Sequence, residues 1–246
     1  ILVKLLIKKV PISSKMSYLI AIGTSVCGAT AIVATAPVIN AKKSEVAYAI
    51  ANITLFGVIA MIVYPYFAEW YFDNDALKTG LFLGTSIHET SQVAAAGLIY
   101  DQQFNSPETL NVATVTKLIR NTFLVILIPL FAFLYNRGEL KGQNYSILSI
   151  FPYFVIGFIG MIIVRNIGDQ FFTPNNSSYD LWINLIGYLK TLATVFLTMA
   201  MAAVGISINL GELKSMGYKP FVVGLIAAVT VGFISLIYIE TLTKFI

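Results

Sequence analysis

Charge is what this chain has least of. Only 11% of its 246 residues are Asp, Glu, Lys or Arg, while 57% are hydrophobic, and the mean hydropathy is +0.81. A soluble domain carries about 25% charged residues. The shortage leaves too little polar surface for water and points to an integral membrane protein surrounded by lipid. There is one cysteine, which excludes an intrachain disulfide and a cysteine zinc cluster. There is one histidine, His88. The net charge of +4 comes from scattered lysines and arginines, with no basic groove lined by aromatics, so no nucleic-acid partner is expected. No signal-peptide pattern is present.

Seven apolar segments are long enough to be read as membrane helices, at about 20 residues per span. They are helix A over 17–39, B over 45–68, C over 76–100, D over 110–135, E over 147–164, F over 181–209 and G over 219–240. Short polar connections join them, so no soluble domain is expected. The opening "ILVKLLIKKVPISSK" has no Met and is too short to span. We therefore expect residues 1–16 to be the end of a preceding helix and 17–246 to be the C-terminal part of a transmembrane domain. Lys and Arg near helix ends set orientation. Lys4, Lys8, Lys9, Lys15, Lys78, Arg137, Lys141, Lys214 and Lys219 fall on one side of this seven-span scheme. Lys42, Lys43, Arg165 and Lys244 fall on the other, which places the N-terminal segment in the cytoplasm.

Helices A, C and F are interrupted by small and polar residues. Helix A carries "GTSVCG" and helix C carries "GTSIHETSQ", about sixty residues later; helix F carries "AMAAVGIS" and Asn209. Glycine and small polar residues weaken a helix or let another pack closely against it. Unwound backbone inside a membrane survives only where protein or a water-filled cavity supplies partners. With one helix between them A and C should run parallel, and with four between them A and F antiparallel. An antiparallel pair of interrupted helices is what inverted-repeat transporters place at their binding site.

Three groups carry candidate chemistry. His88 and Glu89 lie among Thr85, Ser86, Thr90, Ser91 and Gln92, where an ionised side chain costs about 2.5–3.5 kcal/mol at a helix centre. On a continuous helix His88 and Gln92 share a face and Glu89 points toward Thr85. The alternative is a polar helix end held by packing. "HETSQ" lacks the second histidine of H-E-x-x-H, which argues against a zinc hydrolase, and we expect no enzyme and no metal. In helix A, an opening at Thr24, Ser25, Cys27 and Gly28 would free backbone N–H groups that attract an anion, or the same residues form a close-packed interface. Nothing gives Cys27 a reactive role. Lys117, Arg120 and Asn121 share a face of helix D. They are either buried about 13 Å down the helix, where Arg120 holds an anion or pairs with Glu89, or they are interfacial anchors.

At "GTSVCGATAIVATAPVI", "VAYAIANITLFGVIAMIVYP", "GTSIHETSQVAAAG" and "TMAMAAVGI" the chain resembles the YeiH-like family, to which sulfate export is ascribed. The resemblance runs over essentially the whole chain. It implies an all-α transporter of the bacterial inner membrane with further helices before this sequence. It also implies a distant likeness to the five-plus-five inverted-repeat fold of bile-acid and sodium/proton transporters. There "GTSVCG" would mark one broken crossing helix and "AMAAVGIS" the other. Thr90 and Ser91 stand where apolar residues are usual in the family. On this reading the function is secondary transport of a small anion, sulfate or a sulfonate, by alternating access. Coupling to H+ or Na+ and assembly as a homodimer are compatible with it. A sodium-coupled importer of organic anions is the alternative within transport; an intramembrane metal-dependent hydrolase and a membrane scaffold that transports nothing are the alternatives outside it. The candidate substrate-binding residues are Thr24, Ser25, Cys27, Gly28, Ser86, His88, Glu89, Gln92, Lys117 and Arg120.

Overall fold

The computed structural model describes residues 12–37, 39–124, 126, 127, 130, 153–174, 178–207, 211 and 217–244. The described residues form nine helices and no strands. They are α1 (Ser14–Ser25), α2 (Gly28–Thr35), α3 (Lys43–Phe72), α4 (Ala76–Ser86), α5 (Thr90–Phe104), α6 (Pro107–Thr122), α7 (Tyr153–Phe171), α8 (Tyr179–Ser207) and α9 (Lys219–Leu242). Among these residues α3 and α9 are long and apolar enough to cross a membrane, with mean hydropathies of 2.2 and 2.5 over their best stretches. The expectations for Lys4, Lys8, Lys9, Arg137, Lys141, Asn209, Lys214 and the far end of helix D lie outside the described residues.

The chain divides into two units, residues 1–150 with 208–246 and residues 151–207. In the first, α3 is the axis. At its start Glu45 Oε2 accepts from the Lys42 amide, and it ends on Asp73 in the left-handed region. Helix α9 runs alongside α3 in the same direction. Tyr48 Oη donates to Gly217 O and Asn52 Nδ2 to Pro220 O, each at 2.8 Å, Phe56 packs on Phe221, and Gly232 faces Tyr64 further along.

Segments A and C do not cross. A straight helix from Ser14 to Thr35 would be about 30 Å long. Yet Ser13 Oγ bonds Glu45 Oε1 at 2.5 Å, and Lys15 Nζ donates to Asn40 O at 2.7 Å. Helix α2 therefore folds back beside α1, and both ends of the pair lie at the start of α3. Gly23 of α1 lies against Ile32 of α2. Segment C repeats this from the other end. Asp75 caps α4 just after α3 finishes, and Tyr100 of α5 donates to Glu69 Oε2 in the last turn of α3 at 2.5 Å. Thr109 Oγ1 lies 3.5 Å from Ala76 O, which brings the start of α6 to the same place. Two helical hairpins thus enter from opposite ends of α3. This replaces the expected parallel spans. It also changes the lysine count, because Lys15, Lys42 and Lys43 share one end and Lys78 lies at the other. Helix α6 packs along α4 and α5 and then reaches the first hairpin, where Leu124 joins Ile22, Val26, Cys27 and Ala31.

In the second unit, Trp182 at the start of α8 covers Gly168 of α7, stacks on Phe172 at 5.3 Å and donates to Asp169 at 2.8 Å. Arg165 holds the other oxygen of that carboxylate at 2.6 Å. Helix α8 runs without interruption to Ser207, so "AMAAVGIS" does not break the helix as the resemblance implied. Alanine and methionine keep that stretch helical despite Gly205.

Candidate functional site

Each hairpin turns directly after its Gly-Thr-Ser. Helix α1 ends at Ser25 and α4 at Ser86, and the non-helical residues that follow are Val26–Cys27 and Ile87–Glu89. The tips meet about halfway along α3, beside Ile53. Gly28 N donates to His88 O at 3.2 Å, and Cys27 Sγ lies 3.7 Å from Thr90 Oγ1. Gly28 leaves room here for the Glu89 side chain. A Cβ at this position would strike the Glu89 carboxylate and Ile53 Cγ2.

The last carbonyls of α1 and α4 have no partner within their own helices. Both sets are taken up by α6. Lys117, fully buried, donates to Val26 O at 2.8 Å and Ile87 O at 2.9 Å. Arg120 donates from Nη2 to Thr24 O and from Nη1 to Thr85 O, each at 2.6 Å, and from Nε to Ser25 O at 3.1 Å. Thr24 and Thr85 occupy the same place in the two Gly-Thr-Ser motifs, as do Val26 and Ile87. Each cation therefore bridges matching carbonyls of the two tips. The negative ends of two helix dipoles point at these cations, an arrangement that stabilises charge away from water.

The matching ends at Glu89, 4% exposed. Its Oε1 accepts from Ala29 N at 2.7 Å and so caps α2, the second helix of the other hairpin. The position that corresponds to Glu89 in the first hairpin is Gly28, which has no side chain to return the contact. Helix α5 accordingly begins with no side-chain cap, and the amides of Thr90, Ser91 and Gln92 meet no protein acceptor among the described residues. His88, 2% exposed, leads into this turn, and its Nδ1 is buried without a partner among the described residues. Because His88 precedes the helix, it does not share a face with Gln92 as a continuous helix would require.

The structure brings together Thr24, Ser25, Cys27, Gly28, Ser86, His88, Glu89, Gln92, Lys117 and Arg120 at the tips. Their chemistry differs in part from expectation. The hydroxyls of Thr24, Ser25 and Ser86 donate back to Ile20 O, Ala21 O and Phe82 O, so they are not turned to a ligand. The amides of Gly28 and Ala29 are engaged by hairpin two, and the Arg120 donors named above lie on carbonyls. Gln92 Nε2 donates to Thr54 O, with Oε1 against Gly57. Residues not singled out include Asn52, Thr54 and Ser235, which bonds Thr85. A polar residue within an otherwise apolar helix was the available signal for each. Asn121 donates to Thr90 Oγ1 at 3.1 Å, and its Oδ1 has no partner among the described residues. Among the described residues no group of three or more His, Cys, Asp or Glu side chains is placed to hold a metal ion.

Residues 1–224 match the family described as conserved hypothetical protein 698. The chain is 35% identical to a UPF0324 membrane protein of Fusobacterium nucleatum over 242 residues, covering 96% of this chain and 69% of the relative. It is 35% identical to one of Streptococcus agalactiae, covering 84% and 58%, and 34% identical to the UPF0324 inner membrane protein YeiH of Escherichia coli K12, covering 85% and 56%. It thus spans about three-fifths of the length of several curated relatives. No solved structure matches the chain.

Proposed function

The chain belongs to the conserved hypothetical protein 698 (UPF0324) family of membrane proteins, and on that premise we propose that it is a secondary transporter of a small anion that works by alternating access. One observation carries this reading. Two hairpin tips, entering from opposite ends, meet around Lys117 and Arg120 in an otherwise apolar bundle. Ionisable groups at membrane depth are costly, and in membrane proteins they mark substrate and ion pathways. Non-helical backbone at that depth lines cavities or lies against protein. The first hairpin with α3 and the second with α6 make two units of opposite direction, which supports an inverted repeat. In this reading either hairpin can part from the shared cations and open the tips to its own side. Lys15, Lys42 and Lys43 at one end outnumber Lys78 at the other, which favours a cytoplasmic first end in a bacterial inner membrane.

Counterflow of labelled sulfate and methanesulfonate into proteoliposomes, with and without a pH or sodium gradient, tests the proposal. Saturable uptake that falls at least tenfold in Arg120→Ala is expected. Dependence on the sodium gradient alone would turn the reading to a sodium-coupled importer. No uptake of any small anion would end the transport reading.

A further inference from the structure

We propose that the coupling ion is a proton, that Glu89 binds it, and that proton and anion cross the membrane together. This rests on the transport reading and names its driving ion. Glu89 is the one carboxylate at the tips, 4% exposed, and it makes no ion pair among the described residues. Arg120 does not pair with it, although the sequence left that open. Lys117 and Arg120 donate instead to backbone carbonyls of both tips. The side chain of Glu89 accepts from Ala29 N at 2.7 Å, and Ala29 belongs to the other hairpin. The ionised carboxylate is therefore supported from across the junction, by that amide and by the N-terminal end of α2, which favours negative charge.

A hydrogen bond to an ionised acceptor is about twice as strong as one to a neutral acceptor. A proton taken from one side of the membrane onto Oε2 leaves Oε1 a neutral acceptor, loosens the hold on Ala29 and eases the parting of the tips. Parted tips free Lys117 and Arg120 from carbonyls, so that an anion can take their place. The charge of Lys117 is felt at Glu89, so an ionised Glu89 competes with that anion and a neutral one does not. Each ligand thus favours the binding of the other, and such coupling is reciprocal. Proton and anion enter the tips together and leave together on the other side. The surroundings select a proton over a metal cation, which needs several oxygen ligands. A donor, Ala29 N, and a nearby cation, Lys117, face this carboxylate, and the tip carbonyls named above are already taken. The other titratable or charged groups around it are Cys27 of the first hairpin, His88 of its own turn and Arg120 of α6, while α3 presents Ile53.

Labelled methanesulfonate and the intact protein in proteoliposomes, with the membrane potential clamped, test the assignment. Methanesulfonic acid is strong, so a pH gradient does not drive the probe through the lipid as a neutral acid. With the outside more acidic by one unit, one proton per anion allows accumulation up to about tenfold. Wild type should accumulate the anion several-fold above its equal-pH control, and its exchange of labelled for unlabelled anion should quicken from about pH 8 to about pH 6. Glu89→Gln is a standing mimic of the protonated group. Its exchange should be the same at both pH values, and the gradient should add nothing. A gradient response in Glu89→Gln equal to that of wild type would place the proton on another group and overturn the assignment. Loss of all exchange in Glu89→Gln would give the side chain the role of holding the tips and would overturn it as well. Wild-type uptake indifferent to the pH gradient would overturn proton coupling and leave transport standing. Absence of uptake in wild type would instead overturn the transport reading itself.

Discussion

Lys117 is the residue on which the two tips depend most. Its ammonium serves Val26 O, which has no other donor among the described residues, and Ile87 O, which otherwise has only Arg120 Nη1 at 3.4 Å. Lys117→Met keeps the length of the side chain and removes both bonds. Each buried acceptor left bare costs about 1–3 kcal/mol, so thermal unfolding in detergent should show a clear loss of stability. Little change would mean that water replaces the lysine. Gly28→Ala should displace the Glu89 carboxylate from Ala29 N, because the new methyl meets that carboxylate and lies close to Ile53. Glu89→Gln is milder, since its amide oxygen can still accept from Ala29 N. It should retain the fold and alter anion uptake, because it removes one negative charge from the tips. At this scale the sequence was informative. His88, Glu89, Lys117 and Arg120 stood out because charge is scarce here, and all four meet at one place. The partners were not legible. A sequence shows that Arg120 is a cation but not that its best acceptors are backbone carbonyls 35 and 96 residues away. It also cannot show that the hydroxyls of Thr24 and Ser25 turn back on their own helix.

In the proposed mechanism the hairpin is the element that moves, and its topology has a direct test. On a background where Cys27 is serine, cysteines placed at Ser14 and Ala41 should both react with an impermeant maleimide from the same face of the membrane. A cysteine at Asp75 should react from the opposite face. Labelling of Ser14→Cys and Ala41→Cys from opposite faces would restore a continuous span. The breaks themselves were legible, because "GTSVCG" and "GTSIHE" combine glycine, hydroxyls and a polar interruption within apolar runs. The reversal of direction was not. Hydropathy counts apolar residues and gives the same total for a span and for a hairpin that returns. What settles it is tertiary: Lys15 reaching Asn40, and Tyr100 reaching Glu69. Segment F shows the converse error. Its small residues suggested a break, yet α8 stays helical through Ser207, since alanine is the best helix former and one glycine costs only about 1 kcal/mol.

For the whole molecule, the proposed mechanism is one in which two hairpins take turns within a membrane protein. Composition alone placed the chain in a membrane, and the relatives agree. The inverted arrangement of the hairpins appears only when their ends are traced along α3. Cys27 stands at the tip of the first hairpin, 3.7 Å from Thr90 of the second, and is the only cysteine in this chain. Its reaction with an impermeant maleimide, followed from each face of a proteoliposome with and without methanesulfonate, tests alternating access most directly. The account predicts that Cys27 reacts slowly from both faces and that the anion changes both rates. Reaction from one face only, at a rate the anion does not alter, would contradict it.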